Sequence, residues 1–188
     1  MKKIIASLIA VGFMFATTSA FAYGEHQTFR YEQKEKRKTF WAGQKAENRE
    51  FRGGLKNLPP EQRASAIAQH RKGQFSENKA FREKLHNENM TYLKDKLANN
   101  KKLNDAQKTD LINFMDKQYQ ENTSFRDQRH SDNMAFFQQV ANDATLSQEQ
   151  KKQAIRERIE KQKSENKSHW QEQKAERKDF KNSLKPQT

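Results

Sequence analysis

The sequence predicts an all-α protein: four long antiparallel helices in an elongated helical-hairpin or bundle array with 11-residue periodicity. Three observations predict it. Aromatic residues recur 11 positions apart, at Phe29, Phe40 and Phe51, at Phe81 and Tyr92, and at Phe114, Phe125 and Phe136, with Trp170 and Phe180 close to the same spacing. Eleven residues close about three helical turns, so each row stays on one face and drifts toward a right-handed supercoil. Turn signals cut the chain into four segments of similar length, and a single valine, Val140, follows residue 22, which argues against strands.

Composition alone would argue for disorder. Phe, Ile, Leu and Val supply 24 of residues 23–188, below the roughly 20% at which a highly charged chain normally fails to collapse. The ordered spacing of the aromatics outweighs that expectation.

The first element is a leader. Lys2 and Lys3 precede the apolar run 4–15 and a small-residue A-x-A end at Ala20-Phe21-Ala22, the pattern of a secretory signal peptide. Residues 1–22 are therefore expected to be removed, leaving 23–188 as one elongated helical domain. That part carries 35 Lys+Arg against 24 Asp+Glu, a net +11, and no cysteine. No second apolar run is long enough for stable membrane insertion. Export without an anchor points to the bacterial periplasm, with secretion as the alternative.

The helices are expected near 25–56, 60–98, 104–142 and 147–184. Gly53-Gly54 and Leu58-Pro59-Pro60 mark the first turn, 98–104 the second and 142–147 the third. Each turn ends in a related signature: "LPPEQ" from Leu58, "LNDAQ" from Leu103 and "LSQEQ" from Leu146. Asn104 and Ser147 suit the N-cap, with Gln107 and Gln150 three residues on to complete a capping box. The leucine before each cap suits a hydrophobic staple, and Pro60 suits the first helical position. A longer repeat embraces these units: "FREKLHNENMTY" at 81 and "FRDQRHSDNMAF" at 125 align at an offset of 44, "HWQEQKAERKDF" follows 44 later at 169, and "FWAGQKAENREF" precedes at 40.

Within the repeat, an acid and an asparagine stand three residues before an aromatic, as in "ENREF" at 47 and "ENTSF" at 121. From Gln107 the stripe runs Leu111, Phe114, Gln118, Asn122, Phe125, Arg129, Asn133, Phe136 and Val140 in steps of four, three and four. Asn48, Asn78, Asn89, Asn122, Asn133 and Asn166 are thus expected to form polar layers between aromatic layers and to fix helix register.

Catalytic signatures are missing from the sequence: it has no Gly-rich phosphate loop, no H-E-x-x-H and no G-x-S-x-G. The chain is read as a non-enzymatic protein with no cofactor. His86 and His130 hold equivalent places in two repeats and could approach each other in an antiparallel pair to hold zinc, but local spacing supplies no third ligand.

The leader, the helical pattern and the thrice-repeated L-x-x-x-Q (Leu58 and Gln62, Leu103 and Gln107, Leu146 and Gln150) resemble the Spy/CpxP family of periplasmic chaperones and stress adaptors, whose mark is L-T-x-x-Q. Pro59, Asn104 and Ser147 replace the threonine. The resemblance implies a long helical homodimer with a basic face that holds unfolded or acidic protein clients without ATP. Trp41, Arg52, Arg82, Arg126 and Trp170 are the candidate client contacts. The rival is a structural or polyanion-binding envelope protein, with lipopolysaccharide or extracellular DNA as a weakly bound partner, and a metal-handling protein is third.

Overall fold

The computed structural model describes residues 20–184. The expected leader, 1–22, lies outside them except for the backbone of its last three residues. Four helices make up the fold: α1 (Ala20–Leu55), α2 (Pro60–Ala98), α3 (Asp105–Asn142) and α4 (Gln148–Ser183). Among the described residues there is no strand. The chain divides into two compact units, one ending at Gly54 and the other beginning at Leu55.

The first unit is α1. The helix runs unbroken through Gly53 and Gly54, so these glycines form its last turn and not the connection that the sequence suggests. Neither adopts a positive φ. The connection is 56–59, where the Leu58 amide donates to the Leu55 carbonyl at 3.3 Å. Gln33 and Gln44, 11 residues apart on one face, are buried. Asn48 donates to the Gln44 carbonyl at 2.6 Å, and the Gln44 amide donates to Glu47 at 3.1 Å.

In the second unit, α3 packs against α2 on one side and α4 on the other, while α2 and α4 do not pack together. The result is a single layer with α3 in the middle. Its helices alternate in direction: Phe75, Lys79 and His86 of α2 meet His130, Asp127 and Asp116 of α3, so one number rises as the other falls. The α3–α4 pairs descend likewise, from Phe114 with Phe180 to Asn133 with Arg158.

The helix starts follow from their caps. Asn104 accepts from the Gln107 amide at 2.8 Å while the Gln107 side chain accepts from the Asn104 amide at 3.0 Å. Ser147 and Gln150 repeat this box at 3.2 and 2.8 Å. At α2 the cap position is Pro59, which has no side-chain acceptor, and Pro60 starts the helix. The fourth helical positions hold Lys108 and Lys151, so Leu103 and Leu146 lack the apolar partner that a staple requires. Lys151 instead donates to the Ala141 carbonyl at 3.0 Å, satisfying an orphan acceptor at the end of α3.

The described apolar residues that are buried, Leu85, Leu97, Leu111 and Val140, all lie in this unit. Every aromatic among the described side chains keeps some exposure, and buried polar places go to glutamines, Gln118 and Gln173 among them. A layer only one helix thick cannot enclose a wide apolar core, so polar side chains fill its seams.

Candidate functional site

The α3–α4 seam is the stripe read from the sequence. Leu111 is 0% exposed and Val140 is buried near the other end. Between them aromatic and polar levels alternate. Phe114 stacks on Phe180 with centroids 4.1 Å apart, and Phe125 stacks on His169 at 4.0 Å. At the level between, Gln118 donates to Glu176 and accepts from Arg177 at 3.1 Å. Gln173, 4% exposed, is held from both sides: it donates to Glu121 at 2.8 Å and accepts from Asn122 at 2.9 Å.

Adjacent residues Glu121 and Asn122 thus complete both ends of one buried amide, and Phe125, three positions on, closes the next level. The acid of the repeated E-N-x-x-F is part of the seam there. Asn122 also donates to the Gln118 carbonyl at 2.6 Å, the bond that Asn48 makes to Gln44. Farther along, Arg129 bonds Asn166 and Gln162, and Asn133 accepts from Gln162 and, at 3.3 Å, from Arg158. Arg158 lies 5.6 Å from the centroid of Phe136.

The α2–α3 seam is built differently. Arg71 covers Phe137 at 4.9 Å, Phe75 stacks on His130 at 3.8 Å, Lys79 pairs with Asp127 at 2.6 Å, and His86 stacks on Tyr119 at 3.8 Å while bonding Asp116 at 3.0 Å. His86 and His130 therefore each face an aromatic on the neighbouring helix and do not meet. Among the described residues no three His, Asp or Glu gather as a metal site.

Burial lowers the pKa of His130 and of His169 below the usual imidazole value. Asp127 opposes the shift at His130. Around His169, Glu172, Glu121 and Glu176 oppose it and Arg126 adds to it. Arg82 of α2 and Arg126 of α3 are half-buried, and loss of water holds both guanidinium groups below their ordinary pKa, with the Arg126 charge adding to the shift at Arg82.

Neither the family models nor the curated proteins nor the solved structures offer a match to the chain.

The remaining candidate residues separate by environment. Trp170 is 43% exposed on α4, with the Lys174 ammonium 5.3 Å from its ring centroid. Trp41 is 40% exposed on α1, edge-to-face with Phe40 at 5.3 Å, and Arg52 is exposed near the end of α1. Leu58, Leu103 and Leu146 are half-buried beside helix starts; Gln107 and Gln150 serve the capping boxes, and Gln62 is exposed.

One surface feature is absent from the sequence expectations. Lys152, Arg156, Ile159, Lys163, Lys167, Trp170, Lys174 and Lys178 follow one another on α4 in steps of four and three, and all are exposed. Lys152, Lys163 and Lys174 are 11 apart, as are Arg156, Lys167 and Lys178, and so are Ile159 and Trp170. The signal was the same 11-residue period, carried by cations instead of aromatics.

Proposed function

We propose that this chain is a non-enzymatic binding protein of the bacterial periplasm, acting as an ATP-independent chaperone or envelope-stress adaptor on unfolded or acidic clients. The outward row of α4 supports this reading most directly. Ile159, 42% exposed, and Trp170 offer two apolar contacts one hendecad apart, the first between Arg156 and Lys163 and the second between Lys167 and Lys174. A folded partner requires a complementary shape, but an extended chain needs only intermittent apolar footholds with favourable charge between them. The row provides this, and an aromatic beside a cation adds quadrupole attraction to apolar contact. The leader-like start and the three L-x-x-x-Q signatures, which resemble the Spy/CpxP family, favour the same reading, although two of the three signatures have capping to explain them.

The rival is polyanion binding, favoured by the same cations. Light scattering of an aggregating protein separates the two. Suppression that survives at moderate salt supports the chaperone reading. A chain that leaves aggregation unchanged but binds DNA or lipopolysaccharide with steep salt dependence is instead a polyanion-binding envelope protein.

A further inference from the structure

The two tryptophans of the chain hold one place in the long repeat, Trp41 in "FWAGQKAENREF" and Trp170 in "HWQEQKAERKDF". Their surroundings on α1 and α4 match. Gln44 and Gln173, three positions on, are both buried, while Trp41 and Trp170 are 40% and 43% exposed. Cations flank each ring in the same steps. On α1 these are Lys34, Lys38, Lys45, Arg49 and Arg52, and all are exposed. On α4 they are Lys163, Lys167, Lys174, Lys178 and Lys181, again all exposed. Among the described residues, only Lys38 and Lys163 of these cations are paired with an acid, Glu35 and Glu160. The counterpart of Ile159 is Arg30, so the correspondence covers the tryptophan end of the α4 row.

In α2 and α3 the same places of the repeat build a seam. Lys34 and Lys163 correspond to Phe75 and Tyr119, and Lys45 and Lys174 to His86 and His130. There Phe75 stacks on His130, and His86 stacks on Tyr119. On α1 and α4, then, a face that is packed between the inner helices keeps one large ring and fills with positive charge. A second copy of this chain presenting the same face would set cations against cations, which excludes it as the occupant. An acidic partner is complementary. From Lys34 to Arg52, or from Lys163 to Lys181, each row is about 27 Å long. That is the length of roughly eight extended residues. Cations stand on both sides of each tryptophan, so the fitting segment has its apolar residue inside and acids on either side.

We infer that α1 carries a second client site, centred on Trp41 and equivalent to that at Trp170, each taking one extended acidic segment around an apolar residue. The inference rests on the client reading of the α4 row and doubles it. One chain then engages two segments, and a client holding two such segments gains avidity wherever both can bind together.

Each site carries its own reporter, because the chain has no other tryptophan. Trp170→Phe leaves Trp41 as the sole emitter, and Trp41→Phe leaves Trp170. Both positions are exposed, so each variant keeps the melting temperature of the parent. The probe is a twelve-residue unstructured peptide with a central leucine among glutamates. Its titration shifts both emissions to the blue and saturates, at concentrations within about threefold of each other. Calorimetry of the parent gives two peptides per chain. Adding Lys38→Gln and Lys45→Gln to Trp170→Phe raises half-saturation at Trp41 roughly tenfold. A shift at Trp170 with none at Trp41, or one peptide per chain, overturns the second site and leaves the α4 reading standing. No shift at either tryptophan overturns the client reading together with the inference, and a shift at Trp41 alone overturns the equivalence. An equal shift with lysines in place of the peptide's glutamates overturns the charge complementarity. A shift only with a single-stranded oligonucleotide makes both rows polyanion sites and overturns the acidic-segment assignment.

Discussion

At the scale of the residue, the unusual feature is a glutamine placed where a globular protein would put a leucine. Gln173 has both ends of its amide bonded, to Glu121 and to Asn122. Truncating it removes the shared partner of both groups, so Gln173→Ala is expected to cost about 1–3 kcal/mol, read as a lowered urea midpoint at unchanged slope. The sequence alone would rank Phe125 above it, as a core anchor. Phe125 is only half-buried, however, and its main partner is the His169 ring. Phe125→Ala should therefore cost less than the roughly 3–5 kcal/mol of a fully enclosed phenylalanine. The histidine stacks carry a pH consequence. Burial lowers the pKa of His130 and His169 in the fold, so between the folded value and the unfolded value of about 6.5 the unfolded chain binds more protons. Their contribution is full above that unfolded value and is lost as pH falls through the folded one. Melting temperature should drop as pH falls below about 6.5, and His169→Phe should flatten part of that drop, because phenylalanine keeps the stack without a proton to gain.

At the scale of the element, the caps are the sharpest local determinants. Ser147→Ala removes the acceptor of one complete box and exposes the start of α4, so a loss of about 0.5–2 kcal/mol is expected, with faster amide exchange over residues 148–151 than elsewhere in the helix. This box was legible in the sequence, as was its twin at Asn104, because capping depends only on residues three apart. The α3 stripe was legible for a similar reason: an 11-residue period fixes a face without any knowledge of the partner. What the partner contributes was not legible. That Glu121 would serve Gln173, or that His86 would find Tyr119 and not His130, depends on which level of α3 lies opposite which level of its neighbours, and turn length leaves that register free by a residue or two. The Gly53-Gly54 turn was misplaced because glycine lowers helix propensity by only about 1 kcal/mol, and the Pro59-Pro60 pair farther on is the stronger stop.

At the scale of the whole molecule, inward and outward faces of α4 obey one period with opposite chemistry. Inward stand His169, Gln173 and Phe180, bonded or stacked to α3; outward stand Ile159 and Trp170 among six cations. The period is required inside, where it matches a neighbouring helix. Outside, no seam within the unit demands it, and repeated apolar residues on a solvent face carry a solubility cost unless something binds them. Trp170 decides between a contact surface and a tolerated accident of the repeat. Trp170→Ala leaves the seam intact and should keep the melting temperature of the parent, while weakening suppression of aggregation at moderate salt. Replacing Lys167, Lys174 and Lys178 together by glutamine should weaken it chiefly at low salt, where their attraction to acidic clients is least screened. The two variants then separate the apolar from the electrostatic part of binding. If the lysine variant abolishes binding at every salt concentration while Trp170→Ala changes nothing, the row reads charge alone, and the polyanion-binding reading replaces the chaperone.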